Sequence, residues 1–226
     1  MPLPPLSERE LLERASAWAG RALHEAAEVA GMAVPESTVR GKGWSGQLME
    51  RLLGATASSR AEPDFPGLGI ELKTLPVTRQ GRPCESTFVC TIPLNEIGQV
   101  EWPVSRVRRK LGRVLWVPIE GERSIPLPQR RIGQALLWSP SREIEQSLRF
   151  DWEELVGMIG RGELDALTGH IGQYLQVRPK AANSRARRIA TGRDGERLRA
   201  LPRGFYLRAS FTARILQEHF ALPPAG

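Results

Sequence analysis

The feature that most constrains this chain is a change of period between residues 62 and 76. Residues 62–69 hold Pro63, Pro66, Gly67 and Gly69, and Ile70-Glu71-Leu72-Lys73-Thr74-Leu75 then alternates with period two up to Pro76. Pro and Gly interrupt regular structure and strict alternation marks a strand, so the segment predicts a turn feeding a strand. Residues two apart in a strand point to one face, roughly 7 Å apart. Glu71 and Lys73 therefore project together, while Ile70, Leu72 and Thr74 face the other way. If the turn folds the chain back, Asp64 comes opposite Glu71 and offers a second carboxylate.

Two carboxylates suit a hard cation. Magnesium takes oxygen ligands, often one or two carboxylates with waters and a substrate phosphate. Phosphodiester hydrolysis needs a metal to polarise the phosphate and activate water, and a positive group to orient that water or stabilise the pentavalent charge. Asp64 and Glu71 are thus candidate metal ligands and Lys73 the candidate positive group. A plainer description also fits: a solvent-facing strand carrying an ordinary Glu/Lys pair after a turn Asp.

Charge points to the same class of substrate. Thirty-two basic residues against 25 acidic ones give a net charge of +7 in 226 residues. Such a surplus draws a protein toward polyanions, nucleic acid first. Arginine supplies 28 of the 32, leaving Lys42, Lys73, Lys110 and Lys180. Lys is a compact point charge and Arg a planar fork, so a site that requires the smaller ammonium resists replacement, and each surviving Lys is a candidate.

Other chemistries find little support. Cys84 and Cys90 are too few for a disulfide framework or a structural zinc, and read as reduced thiols. His24, His170 and His219 are scattered without metal-ligand spacing, and no phosphate-cradling glycine loop occurs. No stretch approaches the ~18 to 20 apolar residues of a membrane span, and the amino terminus lacks the features of a signal peptide, so a cytoplasmic protein is expected.

Helix and strand signals mix along the chain. Ser7 with Glu10 reads as a capping box, and the apolar spacing from Leu11 to Ala26 predicts one long helix or two broken at Gly20. A shorter helix through Leu48, Met49, Leu52 and Leu53 stops at Gly54 and carries Glu50. Strands are predicted over 86–92 and 114–119, the latter after the basic run Arg106 to Arg113. A helix over 141–157 has Ile144, Leu148, Trp152, Leu155 and Val156 as its apolar stripe, with acids opposite. An Arg-rich, Gly-rich region runs from Val177 through Arg199, and a last amphipathic segment holds Phe211, Ile215, Leu216 and Phe220.

Several segments together resemble one family. They are Gly41-Lys42-Gly43-Trp44, Asp64 with Gly69-Ile70-Glu71-Leu72-Lys73-Thr74, Thr87-Phe88-Val89-Cys90, and Val114-Leu115-Trp116 with Glu120-Gly121-Glu122-Arg123-Ser124-Ile125-Pro126-Leu127. Arg178-Pro179-Lys180-Ala181-Ala182-Asn183 and Leu201-Pro202-Arg203-Gly204-Phe205-Tyr206-Leu207 complete the set. In this order, over nearly the whole chain, they resemble the MutH family of mismatch-repair endonucleases.

The resemblance implies a single α/β domain over residues 1–226 with a restriction-endonuclease-like fold, the Pro-Asp…Glu-x-Lys type. Two lobes, about 1–105 (catalytic) and 106–226 (DNA recognition and regulation), are expected to form a DNA-binding cleft. It implies magnesium-dependent nicking of the unmethylated strand 5′ to the G of hemimethylated GATC, by a monomer switched on by the ATPase MutL with MutS upstream. Carried onto this chain, Asp64 and Glu71 hold the metal, Lys73 positions or activates the water, and Glu50 is an auxiliary acid. Lys42, Phe88, Arg178, Pro179 and Lys180 become DNA contacts, and Tyr206 senses the adenine methyl. Phe88 read alone is a core residue, and Tyr206 a buried tyrosine. Lys110 reads equally as a catalytic-side or phosphate-contacting lysine and as part of a solvated basic face.

Two competitors stand beside this reading. A GATC restriction endonuclease of related module cuts both strands, but builds a longer chain with a second, related domain. A non-catalytic DNA-binding protein of the same fold is disfavoured because Asp64, Glu71 and Lys73 are all present.

Overall fold

The computed structural model describes residues 2–36, 43–57, 61–180, 188–192 and 196–221. In chain order the elements begin with α1 (Glu8–Ser16), α2 (Leu23–Ala30), α3 (Trp44–Leu53), β1 (Glu71–Val77) and β2 (Thr87–Thr91). They continue with α4 (Arg106–Leu111), β3 (Val114–Glu120), β4 (Leu136–Trp138), α5 (Arg142–Gly160) and β5 (Leu175–Pro179). The last are β6 (Arg188–Thr191), β7 (Arg197–Ala200), β8 (Arg203–Leu207) and α6 (Ala209–Phe220). This is a mixed α/β protein with open sheets.

Contacts group the chain into two compact units, one of residues 1–85, 112–139 and 213–226, the other of 86–111 and 140–212. The units interleave along the chain, so they do not follow a sequential division near residue 105. Pairing of β1 with β3 draws residues 114–120 back to the amino-terminal half.

In the first unit, β3 lies between β1 and β4. It runs parallel to β1, with Glu71 opposite Val114 and Lys73 opposite Trp116, and antiparallel to β4. Val114, Leu115, Trp116 and Val117 are fully buried, the continuous apolar run of a strand covered on both faces. Helices α1 to α3 supply Leu11, Leu23, Leu48 and Met49 to a core that also holds Ile70 and Leu115. At the start of α1, Ser7 Oγ accepts from Glu10 N at 3.2 Å, as a capping residue should. The Glu10 carboxylate reaches one residue further back than a capping box requires, to Leu6 N at 2.7 Å. The helical pattern breaks around Gly20, whose φ is +81°, so two helices form.

The second unit holds an antiparallel sheet in the order β2-β8-β5, and a separate two-stranded ribbon of β6 with β7. Helix α5 supplies buried Leu148, Trp152 and Leu155, and the Trp152 ring lies 5.7 Å from that of Trp102. One acid of α5 departs from the expected pattern. Asp151 is only 6% exposed rather than on the polar face, because its carboxylate accepts from the backbone N–H groups of Gln173, Tyr174 and Leu175 at 2.6 to 2.8 Å.

Both cysteines are free thiols, Cys84 exposed and Cys90 buried. Partial burial, with Glu122 and Glu85 nearby, pushes the Cys84 thiol above its ordinary pKa. Among the described residues no helix is long and apolar enough to cross a membrane.

Candidate active site and DNA-reading face

The turn and strand expected around residue 70 form a tight hairpin. Phe65 and Ile70 pair as an antiparallel bridge, each donating its N–H to the other's carbonyl, at 2.9 and 3.2 Å. Leu68 N closes the turn on Phe65 O at 3.0 Å, and Gly69 takes the left-handed conformation, φ +67°, that the reversal requires. One residue out from that bridge, Asp64 stands opposite Glu71 and Leu72. Its Oδ2 accepts from Leu72 N at 2.8 Å, and its carbonyl accepts from Thr56 N and Ala57 N at 3.1 and 3.3 Å. The acid is therefore held from two sides.

Glu71 and Lys73 share a face, as period two dictates. Lys73 Nζ donates to Glu71 Oε1 at 2.5 Å. The pair is not the exposed ion pair of the plainer description, for the side chains are 2% and 14% exposed. A buried charge is costly unless paired, and an ammonium is the smallest cation a side chain offers to pair it. Glu50 sits in the last turn of α3, which packs along β1. Its carbonyl accepts from Ala55 N at 2.9 Å, and the next residue, Thr56, bonds Asp64, so a short backbone relay ties the end of this helix to the hairpin.

The donor set suits a hard cation. Asp64 and Glu71 offer carboxylate oxygens, with no thiolate or imidazole among them. Among the described residues no three His, Cys, Asp or Glu side chains gather as a preformed cage. Two protein carboxylates are what magnesium uses where a substrate phosphate and waters complete the shell.

The other expected residues, apart from Lys42, fall in the second unit; Lys42 lies outside the described residues. Strand register places Phe88 opposite Tyr206, Tyr206 opposite Gln176, and Gly204 opposite Arg178, so these residues share one face of the β2-β8-β5 sheet. The rings of Phe88 and Tyr206 meet edge to face at 5.3 Å. Lys180 Nζ lies 2.9 Å from the centre of the Phe88 ring, a cation on an aromatic face. Arg178 Nη1 donates to Ser86 Oγ at 2.6 Å. Arg178, Pro179 and Lys180 are exposed, and Phe88 and Tyr206 are half-buried rather than core. The opposite face, with Phe205, Leu207, Leu175 and Val177, is the apolar interior. A bulge between Phe88 and Cys90 lets Val89 and Cys90 both be buried while Phe88 stays with Tyr206. Next to this face, partial burial lowers the Arg203 guanidinium pKa against the pull of Asp165, yet a guanidinium stays cationic at neutral pH.

Lys110 corrects one expectation. Arg106, Arg108 and Arg109 are exposed, but Lys110 is 5% exposed and does not belong to a solvated basic face. Val107 and Leu111 are buried with it, and the helical turn rotates all three inward.

Sequence reasoning alone misses Gly204. A Cβ there would lie 2.9 Å from a Phe88 ring carbon, 3.1 Å from Cys90 O and 3.2 Å from a Tyr206 ring carbon. The bare Cα lets the two rings approach. A glycine inside a strand beside two aromatics is the signal that marks it.

Known proteins bring the two sets of residues under one heading. Residues 53–151 match the model of the family described as the DNA mismatch repair enzyme MutH. The DNA mismatch repair protein MutH of Escherichia coli is 53% identical over 219 residues, 97% of this chain and 96% of that protein. The protein of the same name from Serratia proteamaculans is 54% identical over 220 residues, with the same coverage. Identity of this extent, spanning both the carboxylate hairpin and the aromatic face, shows that the chain belongs to the MutH family of DNA mismatch repair endonucleases.

Proposed function

We propose that this endonuclease nicks the unmethylated strand 5′ to the G of hemimethylated GATC, with magnesium as its cofactor and within a restriction-endonuclease-like fold. The observation that carries the reading is the hairpin that sets Asp64 against Glu71 with Lys73 bonded to it. Asp64 and Glu71 hold the ion and Glu50 assists from the end of α3. When bound, magnesium supplies Lewis-acid polarisation of the scissile phosphate and a more acidic water. Lys73, already beside Glu71, orients that water and offsets the negative charge that grows on the phosphate. Lys42 and Pro179 complete the DNA contacts.

Sequence is read on the second sheet. Arg178 and Lys180 reach base edges or phosphates, and the Phe88–Tyr206 pair presents an aromatic edge to the major groove. Adenine's N6 amine donates hydrogen bonds there, and a methyl group adds bulk and removes one donor. Tyr206 senses that difference on the uncut strand. The enzyme acts as a cytoplasmic monomer, activated by MutL after MutS has found a mismatch.

A direct test titrates magnesium into EDTA-treated protein with a GATC duplex and a scrambled duplex of the same composition. We expect no cutting without the ion, and a single nick at GATC once it is added. Equal cutting of the scrambled duplex, or cutting in EDTA, contradicts the assignment of site and ion.

A further inference from the structure

The ribbon of β6 and β7 has no part in the site described above, although it grows from the DNA-reading sheet. Strand β5 ends at Pro179 and Lys180 N donates to Pro202 O at 2.7 Å, so β5 and β8 are still joined where the ribbon departs. Strand β7 ends at Ala200, three residues before β8 begins. The ribbon thus extends the end of the sheet that carries Arg178 and Lys180.

Its two faces differ. On one face Ala190 is buried, at 1% exposure. On the other, register sets Ile189 opposite Arg199 and Thr191 opposite Arg197, which places Ile189, Arg197 and Arg199 together. All three are exposed, Ile189 to 55%. Some exposed arginines elsewhere are matched with an acid, as Arg9 is with Glu13, Arg149 with Glu153, Arg161 with Glu163 and Arg214 with Glu218. Among the described residues, Arg197 and Arg199 form no ion pair and no side-chain hydrogen bond. Two unmatched guanidiniums around an exposed isoleucine are complementary to an anionic surface that also offers apolar area. A nucleic-acid backbone, with phosphates alternating with deoxyribose, has that character, and two-stranded ribbons are of a size to lie along a groove.

We propose that the outer face of the β6–β7 ribbon is a second DNA-backbone site, which grips the duplex beside the recognition sequence through Arg197 and Arg199, with Ile189 against the sugars. The proposal rests on the endonuclease reading. It adds a contact that carries no sequence information and sets the affinity and orientation of the enzyme on flanking DNA.

The test compares wild-type protein, R197A/R199A and R197K/R199K. Binding to a GATC duplex and a scrambled duplex is measured in EDTA over a salt series. Loss of two phosphate contacts should lower the slope of log K against log salt by about 2 for the Ala variant. Binding should weaken by a similar factor on both duplexes, and R197K/R199K should keep the wild-type slope. A wild-type slope in R197A/R199A overturns the ribbon site, and so does an equal loss in R197K/R199K, which retains the charge. If wild-type protein prefers the GATC duplex in those same runs, the endonuclease reading stands while the ribbon falls. A wild-type protein without DNA affinity sinks both.

Discussion

Replacing Lys73 by Ala is expected to lower single-turnover nicking of a GATC duplex by about 10³-fold, ~4 kcal/mol of transition-state stabilisation, while duplex binding stays within a few-fold. The geometry gives the reason. The Lys73 side chain is 14% exposed, its Nζ is already bonded to Glu71, and it lies in the strand that leaves the hairpin holding Asp64. A preorganised cation in such a site stabilises growing charge without reorganising when reaction occurs. Glu71→Gln should cost a similar factor, since an amide binds a hard cation far less well than a carboxylate. The two variants separate chemistry from folding. Lys73→Ala removes the ammonium that donates to the buried, 2% exposed Glu71 carboxylate, a loss of ~3–5 kcal/mol in stability where such pairs are broken. Glu71→Gln keeps an oxygen for Lys73 to donate to and should melt close to wild type. Nicking within tenfold of wild type in a folded Glu71→Gln protein contradicts the proposed metal site.

The second large effect is structural. Asp151→Ala is expected to destabilise the protein by ~3–5 kcal/mol, because it strands three N–H groups that share one carboxylate, two of them part-buried and that of Leu175 buried. For a chain of this size that corresponds to a fall in melting temperature of about 10 °C. The three donors precede and open β5, the strand that carries Arg178 and Pro179, and Tyr174 stacks on Phe211 at 4.3 Å. Loss of Asp151 therefore reaches the face proposed to read DNA through the strand it anchors. Asp151→Asn, which retains one acceptor oxygen, should fall between Ala and wild type. Melting of Asp151→Ala within 2 °C of wild type, about 1 kcal/mol, would show that the carboxylate is not the clamp we describe.

Lys73 and Asp151 also mark the difference between what local amino-acid pattern encodes and what only tertiary contact decides. The hairpin at residues 64–73 is legible in the sequence because turn chemistry and period two are local: Pro and Gly mark the reversal, and alternation fixes which side chains share a face. Strands β2 and β3 and helix α5 are legible for the same reason, to within a few residues of their ends. Asp151 is not, since helical spacing puts it among the acids and only a distant loop of free N–H groups explains its burial. Lys110 is hidden in a run of arginines in the same way. Strand β4 is three residues long and carries no period, and the ribbon reads only as an Arg-rich stretch. The interleaving of the two units depends on the parallel pairing of β1 with β3, a contact between distant segments that no local pattern announces. Of the aromatic face, Phe88 and Tyr206 follow from the family resemblance rather than from pattern, which buries them both.

The central claim is strand-selective, methyl-directed nicking, and one experiment addresses it most directly. One GATC duplex is prepared unmethylated, methylated on either strand, and methylated on both, each strand labelled separately, and incubated with magnesium with and without MutL. The account predicts nicks on the unmethylated strand of each hemimethylated duplex, none on the fully methylated one, and faster nicking with MutL. Cutting of both strands at equal rates whatever their methylation, unaffected by MutL, would contradict it and favour a restriction enzyme.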